Sequence, residues 1–202
     1  MSISRKCLCF LSPIILMLIG AFVMGAWLFK WPPLLTVVPY SVPMQFNTAV
    51  CIFICGVCLW ILYHKDTFYS ALLGVIPGLI GLLTLWQYHS DVNFGIDELF
   101  VKHFITDNTA SPGRMSPNAA LCFCLASVAF THITHRVWAL VASGVIMTSG
   151  LFSTLGYLMD VRNLYAWSPT VTEMAVHTGV AMAILGASLI LCVFSINKGD
   201  KP

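Results

Sequence analysis

Charge is what this chain has least of. Asp, Glu, Lys and Arg together make up 9% of 202 residues, where a soluble domain of that length carries about a quarter. The few charges cluster between long apolar runs, and 58% of the residues are hydrophobic, with a mean hydropathy of +0.87. Lipid is therefore the expected solvent. Other things are missing too. No segment alternates apolar and polar as a barrel strand does, so spanning segments have to be helices that satisfy their own backbone. No basic block or nucleic-acid motif occurs, which sets nucleic acid aside as a partner. No serine–histidine–acid set, phosphate loop or metalloprotease motif is present, so no enzyme is expected. The eight cysteines leave the long connections empty, which excludes an external disulfide framework.

What is present is six apolar runs, near residues 7–29, 46–63, 68–88, 115–133, 137–158 and 174–196, each close to the roughly 20 residues a helix needs to cross a bilayer. The expected fold is an all-α membrane protein, one domain over 1–202. Arg5 and Lys6 before the first run resemble a secretion signal, but the run exceeds twenty residues and lacks a small-x-small cleavage site, so it reads as a retained helix. Six spans put both termini on one side. That side holds Arg5, Lys6, Lys65, Arg136, Lys198 and Lys201, with Asp66 and Asp200. The other holds Lys30, Lys102, Arg114 and Arg162, with Asp91, Asp97, Glu98, Asp107, Asp160 and Glu173. The basic excess places the termini in the cytoplasm. Trp27, Trp31, Trp86 and Trp167 would form an outer aromatic belt, and Trp60, Tyr63 and Trp138 an inner one.

The connections alternate. The inner turns, 64–67 and 134–136, are short; the outer ones, 30–45, 89–114 and 159–173, are long. Each long connection ends in one short pattern: Met44-Gln45-Phe46-Asn47-Thr48-Ala49, Met115-Ser116-Pro117-Asn118-Ala119-Ala120 and Met174-Ala175-Val176-His177-Thr178-Gly179. Met is followed three residues later by an amide or imidazole, then by two small residues. Three copies predict a helix–loop–helix unit repeated three times in tandem, in one orientation and without the inverted symmetry common in secondary transporters. Within the connections, Trp31-Pro32-Pro33 with Pro39 and Pro43 stiffens the first. Residues 95–104 are predicted as a short amphipathic surface helix, 108–113 as a turn, and Ser116-Pro117, Ser168-Pro169 and Thr172-Glu173 as helix starts.

If the units pack about a common axis, Asn47, Asn118 and His177 converge one turn inside the outer boundary and could bind a small polar ligand, a proton or a metal. The plainer reading is that they hydrogen-bond loop backbone and helix starts. Met115 and Met174 could be soft metal ligands or gap fillers. Arg114 could bind an anion, pair with Asp97 or Glu98, or anchor at the interface. Glu173 suits a helix N-terminus. Cys51, Cys55 and Cys58 share a helical face but, like Cys7, Cys9, Cys122, Cys124 and Cys192, lie in apolar runs, where thiols serve as small hydrophobes. His64, His132 and His135 fall on the inner side and His89 and His103 outside, so of the histidines only His177 lies clearly within a span, with His89 at the boundary as its one candidate partner for a haem. Gly74, Gly78 and Gly81, and Gly179, Ala183, Gly186 and Ala187, form small-residue stripes that fit packing within one bundle or a homodimer face. Pro77 is expected to kink its helix.

The stretch Pro112-Gly113-Arg114-Met115-Ser116-Pro117-Asn118-Ala119-Ala120-Leu121, with Gly95-Ile96-Asp97 before it and Met174-Ala175-Val176-His177-Thr178-Gly179 and Leu185-Gly186 after it, resembles the multi-span membrane region ahead of many bacterial sensor histidine kinases and diguanylate cyclases. The similarity extends over nearly the whole chain and is densest in these motifs. It implies a membrane input module, in the bacterial inner membrane, whose output belongs to a membrane or cytoplasmic signalling partner, since the chain ends at Pro202 without a kinase or cyclase. It brings no catalytic residues and no cofactor. The expected function is sensing or interaction through a shallow periplasm-facing pocket formed by Asn47, Asn118, His177, Arg114, Met115 and Met174. The alternatives are a small transporter or channel, disfavoured by the absence of an acid or base at mid-depth in any span, and a metal- or haem-binding redox protein.

Overall fold

A computed structural model describes residues 3–37, 41–105, 111–168 and 171–196, with side chains from residue 8 onward. The side chains of Arg5, Lys6 and Cys7, and the residues Pro39, Asp107, Asn108, Pro169, Lys198, Asp200 and Lys201, lie outside that description. Among the described residues every regular element is helical. The helices are α1 (Ile3–Leu28), the single turn α2 (Pro32–Leu35), α3 (Phe46–Tyr63), α4 (Thr67–Ser90), α5 (Pro117–Thr131), α6 (Arg136–Leu158) and α7 (Val176–Ile196), with a 3-10 turn at Arg162–Leu164.

Five of these helices, α1, α3, α4, α6 and α7, are long and apolar enough to cross a membrane, the mark of a multi-pass membrane protein. The fifteen residues of α5 span only about 22 Å at 1.5 Å each, short of the roughly 30 Å hydrocarbon core. Its ends are chemically set. The Ser116 hydroxyl accepts from the Ala119 amide at 3.2 Å and Pro117 occupies the first turn, while the chain turns at His132. Met115 and Ile133, just beyond either end, are buried at 1% and 2%, so the apolar stretch outlasts the helix.

Packing sorts the helices into two shells. Each long connection joins a closely packed antiparallel pair: α1 with α3, α4 with α5, α6 with α7. The second members, α3, α5 and α7, also touch one another, and contacts of α3 with α4, α5 with α6 and α7 with α1 close the ring. Thus α1, α4 and α6 lie outside, each wedged against two inner helices. Their outward faces carry Phe22, Leu72, Leu79, Val141 and Phe152, all more than half exposed, as lipid-facing residues must be. The core between the shells is built from small and apolar side chains, including Cys51, Cys55 and Cys58 at 0% exposure.

Glycine lets each pair approach. A Cβ on Gly78 would meet the Ser127 side chain at 2.4 Å, and one on Gly150 would meet the Ala183 amide nitrogen at 2.4 Å and the Gly179 carbonyl at 2.5 Å. Both small-residue stripes foreseen in the sequence are therefore consumed inside the bundle. Helix α4 continues through Pro77. One expectation needs correction. Residues 95–104 form turns and extended chain, with no helix, because Val101, Phe104 and Ile105 pack on the core and so take their conformation from the surface beneath them.

Candidate functional site

The three Met motifs lie at one end of the bundle, at the start of the three inner helices. Their first residues are equivalent in burial: Met44 is 1% exposed, Met115 1% and Met174 0%. In each copy the residue after Met is the last before the helix, and its carbonyl accepts the first intrahelical bond: Ala49 N–H to Gln45, Ala120 N–H to Ser116, Gly179 N–H to Ala175, at 3.0–3.1 Å. The preceding outer helix holds the Met backbone in place. The Trp27 indole N–H donates to the Met44 carbonyl at 2.8 Å, and the Tyr88 hydroxyl donates to the Met115 carbonyl at 3.0 Å. In the third copy the Met174 N–H donates to the Tyr165 carbonyl at 2.9 Å, and the Tyr165 ring stacks on Tyr157 with centroids 3.9 Å apart. Burial, then the negative charges of Glu173 and Asp160, raises the Tyr165 phenol above its ordinary range. Trp27 is thus a buried brace at 2% exposure and no part of an outer belt.

The three copies meet around one small hollow of about 10 Å³, room for a single water-sized species. Gln45, Ser116 and Ala175 line it, and so do Thr48, Ala119 and Thr178. These are the first and fourth residues after Met in every copy. Met44, Pro43 and Glu173 complete the wall. Positions three apart on a helix share a face, so a first residue aimed at the axis brings the fourth with it. The third residue is turned about 100° from the fourth and points aside. Accordingly Asn47, Asn118 and His177 are not among the lining residues. Asn47 instead reaches the neighbouring connection, its Nδ2 donating to the Ile96 carbonyl at 2.6 Å. The Asn118 Oδ1 and both ring nitrogens of His177 are buried and make no hydrogen bond. Of the six residues singled out in the sequence, Met115, Met174 and Arg114 are likewise beside the hollow without lining it.

Gln45 stands out within the wall. It is 3% exposed, and neither its Oε1 nor its Nε2 has a partner. The sequence did signal it, as the residue next to Met in a triplicated pattern. The position three residues into the motif repeats in chemical type, whereas the position next to Met holds Gln, Ser and Ala in turn.

Beside the hollow lies a polar cluster that folds the second connection over the bundle. Asp97, 5% exposed, accepts from the Arg114 Nε at 2.8 Å and from the Gln87 Nε2 at 2.9 Å. The Arg114 guanidinium lies 5.2 Å from the centroid of the Tyr88 ring. Gly113, with φ +76°, brings its α-carbon so close to the Asp97 carbonyl that a Cβ there would sit 2.7 Å from that oxygen. Further along, Trp27 meets the rings of His103 and Phe104 at 5.4 and 5.1 Å. On the third connection Glu173 pairs with Arg162; it lies three residues before the start of α7 and takes a guanidinium partner. Among the described residues no group of three or more His, Cys, Asp or Glu is close enough to hold a metal ion.

No protein-family model, curated protein or solved structure gives a significant match to this chain.

Proposed function

We propose that this chain is a membrane-embedded sensing or interaction module of six spans, arranged as three tandem helix–loop–helix repeats, with no catalytic activity of its own. The observation that carries the reading is the meeting of equivalent motif positions from all three copies in one hollow. A repeated unit packed about a common axis produces that meeting; unrelated loops have no reason to. Three details support the repetition. Trp27 and Tyr88 brace the Met carbonyl in the same way. Lys30 and Asp160, at the same distance before their Met, both take a left-handed conformation, with φ 52° and 54°. The Trp31 and Val161 amides then both reach back five residues, to Ala26 and Gly156, each at 2.8 Å. In this scheme α5, prolonged by Met115 and Ile133, is the sixth crossing.

The hollow faces the periplasm of a bacterium, both termini face the cytoplasm, and the membrane is the inner one; the distribution of Lys and Arg and the resemblance to sensor input regions support this orientation. Occupancy of the hollow draws α3, α5 and α7 together at their first turns. Asn47, through the Ile96 carbonyl, and Arg114, through Asp97, transmit the change to the connections, with Asn118, His177, Met115 and Met174 as packed pivots beside them. The opposite ends of the same helices then move against a membrane or cytoplasmic signalling partner, or a second copy, since ligand-dependent coupling needs only different affinity for two packings. With both glycine stripes occupied internally, a homodimer would use the bulky outer faces.

Two measurements test this. Impermeant thiol labelling of single cysteines introduced at His103 and Lys65, in a background whose native cysteines are replaced, should modify the first from outside the cell and the second only after permeabilisation. Cells with Gln45→Leu or the Asn118→Ala/His177→Ala pair should lose the partner's kinase or cyclase response that wild type supports. A response unchanged by deleting the whole gene sinks the sensing reading, and ion flux in proteoliposomes would favour transport instead.

A further inference from the structure

We propose that the central hollow is a binding site for a small monovalent anion of the halide class. This deepens the sensing reading, because it names the ligand chemistry of the same hollow, though binding stands or falls separately from signalling.

Six of the nine residues bounding the hollow are the N-terminal caps and first-turn residues of three helices, α3, α5 and α7, of eighteen, fifteen and twenty-one residues. Each helix N-terminus carries roughly half a positive charge and free amide donors, and here three such ends converge. Their capping differs. Ser116 bonds the Ala119 amide; Gln45 makes no side-chain cap bond; Ala175 has no group to cap with. Of the three cap residues, Ser116 alone is seen to bond its own helix through its side chain.

The independent sign of a ligand is Gln45. Its amide is buried, lines the hollow, and has both polar atoms unpartnered. Leaving a buried polar group unpaired costs about 1–3 kcal/mol, so a species that accepts from Nε2 recovers the donor's share of that cost. The remaining side-chain polar groups, the hydroxyls of Thr48, Ser116 and Thr178, can all donate. The carboxylate at the wall, Glu173, is paired with Arg162, so its charge is balanced and the field of the helix ends prevails. A volume of about 10 Å³ suits a single small ion better than sulfate or an organic acid. The donor set also argues for an anion over a cation, since three helix N-termini repel positive charge.

The test uses the full chain purified into nanodiscs in gluconate buffer at constant ionic strength, with chloride as the probe. The chloride NMR resonance should broaden beyond that with empty nanodiscs, and bromide but not added gluconate should reverse it. Thermal stability should rise with chloride. Gln45→Leu and Thr178→Val should each weaken binding about tenfold, the loss of one hydrogen bond to a charged acceptor, while Thr131→Val at the far end should not. Should Gln45→Leu fail to fold, the bromide displacement on wild type still decides. Absence of protein-dependent broadening overturns the proposal. So does wild-type affinity in both hollow variants, or stability that follows the cation and ignores the anion. If chloride binds as expected and the Gln45→Leu cells still signal, the anion site survives and the sensing reading fails.

Discussion

The indole N–H of Trp27 donates to the carbonyl of Met44 across seventeen residues of chain, at 2.8 Å and out of contact with solvent. That bond pins the start of α3 to the end of α1. Trp27→Phe keeps most of the ring contacts and strands the Met44 carbonyl, so a loss of about 1–3 kcal/mol is expected. Tyr88→Phe removes the matching bond to Met115 and should cost about as much. Thermal unfolding of the purified variants in mild detergent measures both; two unequal losses, one near zero, would show that the braces are not equivalent.

Asp97 and Arg114 form the most buried ion pair among the described residues, with side chains 5% and 11% exposed. Removing one partner leaves a charge in a poor solvent, which costs about 3–5 kcal/mol. Arg114→Met should therefore be severe, and Asp97→Asn nearly so. The double variant should recover part of the loss, because the stranded charge is gone. A double-mutant cycle on unfolding free energy gives the coupling. Strict additivity would mean that the pair is solvated and that Gln87 alone secures Asp97.

Much of the helical framework could be read from composition, because lipid permits so few backbone solutions. The bounds of α3 coincide with the run 46–63, where polar loop gives way to apolar helix at one residue. Residues 95–104 depart from the sequence pattern for a converse reason. Their apolar residues, Ile96, Leu99, Phe100 and Phe104, recur at helical spacing, yet Phe100 meets Phe46 at 5.9 Å and the tertiary surface overrides local propensity. The motif itself was legible and its geometry was not. Sequence shows that Asn47, Asn118 and His177 repeat, but which face of a helix meets the axis depends on packing, and the packing aims Gln45 and Thr48 there instead.

Asn47 now has a defined task, donating to the Ile96 carbonyl at 2.6 Å. Asn47→Asp places acceptor against acceptor and adds a charge, so it should destabilise more than Asn47→Leu, which only removes the donor. Hydrogen exchange of the peptide covering residues 95–101 should accelerate in both, most in the aspartate variant. Unchanged exchange there would mean that Asp97, through Arg114 and Gln87, holds the connection without help.

The glycines separate packing from propensity. Gly144 has nothing within 4 Å of a Cβ position, so Gly144→Ala should stabilise α6 by up to about 1 kcal/mol, the difference in helix propensity. Gly150, two turns away on the same helix, faces backbone atoms of α7 at 2.4 and 2.5 Å. Backbone cannot swing aside as a side chain can, so Gly150→Ala must part α6 from α7 or bend one of them, and overpacking of this kind costs about 1–3 kcal/mol. Because Gly150 abuts Gly179, in the first turn of α7, the displacement also reaches the hollow beside Thr178. Thermal unfolding should therefore move in opposite directions for the two substitutions, and chloride-dependent stabilisation should fall only in Gly150→Ala. Equal, mild effects from both would mean that α6 and α7 stand further apart in the membrane than their glycine contacts require.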